Sequence, residues 1–209
     1  METFDRHAHW EKIYQTKTEN EVSWFQSVPF TSLEFISMFN LRKDARIIDV
    51  GGGDSHLVDH LIERGYTDIT VLDISETAIE RAKQRLGDKA SAVRWIVSDA
   101  ATFLPDTTYD FWHDRAAFHF LTEEREIQHY IENVKKSINP GGILVVGTFS
   151  EEGPLKCSGI HIKQYSEQSM AERLTEYFDK VKCLYVDHQT PFNTVQNFVF
   201  CSFKKREAA

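Results

Sequence analysis

With 209 residues, 41% of them hydrophobic and 27% charged, the chain has the balance of a globular protein able to bury one sizeable core. Its formal net charge of −8 argues against a surface built to neutralise nucleic-acid phosphates. No apolar run approaches a membrane span and Met1-Glu2-Thr3-Phe4 lacks a signal-peptide start, so a single domain over residues 1–209, cytoplasmic and monomeric or weakly dimeric, is expected.

Residues 1–40 read as a helical leader. In His9-Trp10-Glu11-Lys12-Ile13-Tyr14, Trp10 and Tyr14 stand one turn apart on one face, and Val22-Ser23-Trp24-Phe25 follows. Such aromatics pack on a core or close over a ligand, and the two uses are compatible.

Over residues 44–205, short apolar runs alternate with helical patterns, which predicts an α/β fold with a mostly parallel sheet between helices. Arg46 to Val50 is a buried strand running into Gly51-Gly52-Gly53. A helix with Leu57, Val58, Leu61 and Ile62 on one face ends at Gly65. Ile69 to Leu72 is a second strand, after which Ser75 caps a helix burying Ala78, Ile79, Ala82 and Leu86. Val93 to Val97 and Tyr109 to Trp112 are the third and fourth strands. Thr122 is the expected cap of a helix that Asn139-Pro140-Gly141-Gly142 ends, and Ile143 to Thr148 is the fifth strand. After a helix near residues 166–178, strands near 181–188 and 195–203 are joined by too short a turn for a parallel crossover. Five β/α units closed by an antiparallel hairpin are therefore expected. Cys157, Cys183 and Cys201 show neither metal spacing nor even pairing, so no disulfide framework is expected; His56 and His60 have metal-like spacing but no third ligand, and no metal site is expected.

In an open α/β sheet, ligands sit at the C-terminal strand ends. The first end, Asp49-Val50-Gly51-Gly52-Gly53-Asp54-Ser55, gives a tight turn whose amides lie open to a ligand. His56 stands where the dinucleotide fingerprint needs its third glycine, which counts against a NAD-dependent oxidoreductase. Asp73 at the second end suits the two hydroxyls of a ribose; Asp99 and the Ala100 amide at the third suit an adenine edge. Acids at three successive strand ends favour a nucleoside with a cationic tail.

In these motifs the chain resembles the class I, seven-strand S-adenosylmethionine-dependent methyltransferases, from about Asp44 onward. The family's acidic-x-Gly-x-Gly-x-Gly reads here Asp49-x-Gly51-x-Gly53-x-Ser55, its ribose acid falls on Asp73, its adenine acid on Asp99 and its Pro-Gly-Gly on Pro140-Gly141-Gly142. The resemblance implies a three-layer, Rossmann-like sandwich with a seven-stranded sheet and S-adenosylmethionine as cofactor. The expected cofactor contacts are Asp49, Gly51, Gly52, Gly53, Asp73, Ile74, Asp99, Ala100 and His113, with Trp10 and Tyr14 above.

The acceptor leaves a fainter trace. After the fourth strand, His113-Asp114-Arg115-Ala116-Ala117-Phe118-His119 gathers ionisable groups where the methyl should project. Asp114, Arg115 and His119 are the candidate catalytic residues, with an Asp114–Arg115 ion pair and a core His119 as the structural alternative. The loop Gly153-Pro154-Leu155-Lys156-Cys157-Ser158-Gly159 is a natural substrate rim, and Cys157 reads as an ordinary thiol. The leader is similar to one found in some lysine methyltransferases and several small-molecule ones. Methyl transfer to a small molecule is the first expectation, to a protein lysine the second, and a catalytically silent binding module the third, without nucleic-acid or membrane partners.

Overall fold

A computed structural model describes residues 4–207; the Met1–Thr3 start read above lies outside them. The element order is α1 (Arg6–Thr16), α2 (Phe30–Met38), β1 (Arg46–Val50), α3 (Leu57–Glu63), β2 (Asp68–Asp73), α4 (Glu76–Leu86), β3 (Val93–Val97), β4 (Tyr109–Arg115), α5 (Glu124–Ser137), β5 (Ile138–Phe149), β6 (Lys156–Cys157), β7 (Ile160–His161), α6 (Glu167–Leu174), β8 (Phe178–Gln189) and β9 (Val195–Lys205). Seven strands form one sheet in the order β3-β2-β1-β4-β5-β9-β8, and β9 alone runs against its neighbours. The short β6–β7 pair stands apart.

The central strands are apolar on both faces because both are covered. Leu33 and Ile36 of α2, Leu57 and Leu61 of α3, and Ile79 of α4 pack on one face with Ile47, Phe111, Val145 and Phe200. Ile127, Tyr130 and Val134 of α5, with Met170 and Leu174 of α6, pack on the other with Ile48, Trp112, Leu144 and Val199. This three-layer sandwich is the expected fold class. Of the leader's two α-helices, α1 crosses the C-terminal strand ends, whereas α2 is a layer helix, because Leu33, Phe35 and Ile36 are buried in the sheet face. No helix among the described residues is long and apolar enough to cross a membrane.

Several local expectations are corrected. Residues 98–108 between β3 and β4 form turns, not a helix, so the β/α alternation lapses there. The cap of α5 is Glu123, without a side-chain cap bond, and Thr122 stands one residue earlier. Asn139-Pro140-Gly141-Gly142 lies inside β5, since the helix has already ended at Ser137. Ser75 does cap α4, accepting from the Ala78 amide at 3.1 Å. The cysteine expectation also fails: Cys183 and Cys201 face each other across β8 and β9 and form a disulfide. Oxidising compartments keep such bonds and cytosolic thiols reduce them, so its redox state in cells reports on the compartment.

Candidate active site

The turn after β1 is tied to the end of β2: the amides of Gly51 and Gly52 both donate to the Leu72 carbonyl, at 2.7 and 3.1 Å. Gly51 and Gly53 have φ of +69° and +49°, the left-handed region that glycine enters at little cost. A Cβ on Gly51 would stand 2.6 Å from Ala117 Cβ; one on Gly53 would stand 2.7 Å from Tyr14 Oη and 3.1 Å from Asp73 Oδ2. The turn is thus pressed between the β4 exit and α1. Above it opens a cleft with a cavity volume of about 120 Å³.

Asp49 stands one residue before the end of β1, Asp73 ends β2 and Asp99 follows β3 by two residues, and all three line this cleft, with Gly51, Gly52, Ile74, Ala100 and His113. Asp73 is buried, and its Oδ1 accepts from the Ser75 amide at 2.8 Å. Burial, with the nearby charges of Asp54 and Asp49, raises its pKa to about 7. A carboxylate so placed is completed by donors such as ribose hydroxyls. Asp49 Oδ1 accepts from His113 Nδ1 at 2.7 Å, and His113 Nε2 lies 2.8 Å from Ser32 Oγ on α2. Both are buried, so His113 serves here to orient Asp49.

Asp99 is engaged from the leader. Arg6 Nη1 donates to both its oxygens, at 2.8 and 3.1 Å, while Nη2 grips Glu126 of α5 at 2.9 Å. Glu11 reaches the start of α4, accepting from Ser75 Oγ at 2.7 Å and from the Thr77 hydroxyl. These two ties hold α1 over the cleft, with Trp10 and Tyr14 8% and 6% exposed. Trp10 meets Trp24 and Phe120 edge-on at 5.6 and 4.9 Å between centroids. The sequence reading missed Arg6, Glu11 and Ser32, whose partners lie 64 to 120 residues away. The Arg6 pairs are partly solvated and worth about 1 kcal/mol or less. Arg6→Ala is therefore expected to melt within a few degrees of the parent, yet to be cut by trypsin after Lys12 or Lys17 several times faster. Unchanged cleavage would show that Glu11 and the aromatic rings alone hold α1.

At the exit of β4 the candidate catalytic residues part company. Successive residues of β4 alternate in face, so Asp114 and Arg115 do not pair. Asp114 is buried among Ala117 N and Phe118 N, both 3.0 Å from Oδ1, and Tyr130 Oη, 2.6 Å from Oδ2. Burial raises its pKa to about 6. It fastens the turn leaving β4 and does not line the cleft. His119 is wholly buried, its Nδ1 accepting from the Phe149 amide at 3.3 Å. Burial, then the charge of Arg115, lowers its pKa to about 3, so it stays neutral, and it too lies off the cleft wall. Arg115 does line the cleft, with Nη1 donating to the Trp24 carbonyl at 3.0 Å.

Between Arg115 and the turn, Ala116 holds φ +68°, a strained conformation for a residue with a Cβ. Ala116→Gly is expected to stabilise the protein by about 0.5–1 kcal/mol, a rise of roughly 2 °C in Tm. A fall in Tm would show that this backbone carries no strain. Cys157 also lines the cleft, and burial raises its pKa to about 11, so it is a neutral thiol. His56 and His60 pair instead with Glu19 and Glu63, at 3.0 and 3.3 Å. No group of three or more metal-ligating side chains occurs among the described residues.

A family model described as "Methyltransferase domain" matches residues 48–144, from β1 into β5. A mouse protein named eEF1A lysine and N-terminal methyltransferase is 24% identical over 182 residues, covering 83% of this chain and 26% of that one. Malonyl-[acyl-carrier protein] O-methyltransferase 1 of Ilyobacter polytropus is 26% identical over 112 residues, covering 53% and 40%. The chain thus spans about a quarter to two fifths of the length of these curated relatives. Among solved structures, the N-methyltransferase NodS from Bradyrhizobium japonicum, in complex with S-adenosylhomocysteine, is 19% identical; it has a TM-score of 0.72 over 97% of this chain and 100% of that one. A protein described with the conversion of a disulfide into a thioacetal in echinomycin biosynthesis reaches 0.76 at 16% identity, over 97% and 94%. Fold, strand-end acids and family match agree. Residues 48–144 match a methyltransferase domain, and the chain as a whole has the class I, seven-strand methyltransferase fold, with S-adenosylmethionine as the cofactor these findings imply.

Proposed function

We propose that this chain transfers the methyl group of S-adenosylmethionine to a small-molecule acceptor held beneath α1. The observation that carries this reading is the roof: Trp10, Tyr14 and Trp24 line the cleft and pack on one another, so aromatic rings cover part of the site, which favours a small molecule over a protein surface. Buried Asp73, which keeps acceptor capacity beyond the Ser75 amide, and the narrow glycine turn fit the nucleoside end of the cofactor. Asp49, oriented by His113, fits its ammonium. When bound, S-adenosylmethionine supplies a methyl already activated on a sulfonium. The protein is then left to hold the acceptor in line and to exclude water, which is where most of the rate arises. Aromatic faces around the cleft add attraction for a cationic centre. No general base lines the acceptor wall, since Cys157 is a neutral thiol and His119 lies off it; the acceptor best suited arrives with a lone pair already free.

A second reading, methylation of a protein lysine, draws on the name of the mouse relative and on the similar leader. The test uses S-adenosylmethionine labelled in its methyl group, offered with pools of small acids, amines, thiols and basic peptides. Label in a small-molecule pool supports the first reading; label in peptides alone supports the second. Calorimetry showing no S-adenosylhomocysteine binding would refute both.

A further inference from the structure

One cation at the wall of the cleft has no counter-ion. Arg115 Nη2 is shielded from solvent and has no hydrogen-bond partner, and Arg115 enters none of the ion pairs among the described residues. Its Nη1 is spent on the Trp24 carbonyl, and its guanidinium lies 5.1 Å from the centre of the Phe198 ring. Among the groups that feel its charge, His119 and His188 have their pKa lowered by burial and then by this cation, and Cys157 is a neutral thiol. The carboxylate whose field reaches it, Asp49, already accepts from His113. An enclosed guanidinium with an idle N–H is expensive to keep unless a ligand completes it. Its planar fork matches a carboxylate.

Position separates this cation from the cofactor end. Asp99, Asp73 and Asp49 stand at the exits of β3, β2 and β1 in order, whereas Arg115 ends β4 and leans past β5 to a ring on β9. We propose that Arg115 receives a carboxylate of the methyl acceptor, which makes the acceptor a small organic acid. This assignment rests on reading the cleft as a methyl-transfer site. The same cation repels an incoming lysine ammonium.

The probes are benzoate and phenylacetate with their primary amides, on protein saturated with S-adenosylhomocysteine and followed by thermal melting and calorimetry. At least one acid is expected to bind and raise Tm, with its amide tenfold or more weaker. Arg115→Gln should erase that preference while binding S-adenosylhomocysteine within twofold of the parent. Arg115→Lys, which keeps the charge but not the fork, should retain a reduced preference and serves if the glutamine variant fails to fold. Acids and amides binding alike, or neither binding, would overturn the assignment. So would a tenfold loss of S-adenosylhomocysteine affinity in Arg115→Gln with 5′-methylthioadenosine affinity unchanged, because the guanidinium would then serve the cofactor's own carboxylate. Wild-type protein that binds no S-adenosylhomocysteine would sink the methyl-transfer reading, and this assignment with it.

Discussion

Asp73→Asn is expected to weaken S-adenosylhomocysteine binding by about 30- to 150-fold, the worth of roughly 2–3 kcal/mol for a charged acceptor facing two hydroxyls. It should also remove a pH dependence that the parent shows. Burial holds the free carboxyl at about pH 7, well above the ordinary aspartate value near 4. A raised folded pKa contributes stability that is complete below about pH 4 and lost as pH rises through 7. The free protein therefore bears the strain of a buried charge mainly above neutrality. Hydroxyl donors relieve that strain by favouring the ionised form, so binding expels a proton at pH 6 and almost none at pH 8. Parent affinity should rise across that range and the variant's should stay flat. Calorimetry in two buffers of different ionisation enthalpy reads the proton directly. A flat parent profile with no proton released would remove Asp73 from the ribose site.

That Asp49, Gly51, Asp73 and Asp99 would share one cleft was legible because it is written in single residues at strand ends. Asp49, Gly51, Asp73 and Asp99 each follow an apolar run, and a parallel sheet brings such ends together whatever lies between them. The arrangement at the β4 exit was not, for two reasons. The apolar run that marks the fourth strand stops at Trp112, whereas the strand runs to Arg115; carried that far, its alternation alone separates Asp114 from Arg115. The Asp49–His113 bond, in turn, depends on β1 lying beside β4, a neighbour relation that no local pattern encodes. The disulfide was within reach. Once Gln189 pairs with Val195 across the turn, six steps along each strand arrive at Cys183 and Cys201. Arg6 is the opposite case: its partners are fixed only by where α1 docks, and nothing near it in sequence announces them.

Gly51→Ala tests whether the glycine turn is built for a ligand's approach, as read here, and the size of its effect follows from two separate costs. A Cβ at φ +69° costs about 1–2 kcal/mol in backbone strain. The same atom would lie 2.6 Å from Ala117 Cβ, and neither partner is the loose end of a flexible side chain. Overpacking of that kind costs about 1–3 kcal/mol. The sum predicts a Tm lower by roughly 5–15 °C for a chain of this size. Because the strain displaces the Asp49–Gly53 turn against the end of β2, affinity for S-adenosylhomocysteine should fall at least tenfold. The steric part alone is repairable. Adding Ala117→Gly removes the atom that is struck while the Ala117 amide still donates to Asp114, so the double variant should regain about 1–3 kcal/mol over simple additivity and keep the backbone cost. Strict additivity would mean that the turn yields toward solvent and that Ala117 does not brace it. Full affinity in Gly51→Ala alone would be the more damaging result, because a turn that accepts a side chain there does not press against the β4 exit as described.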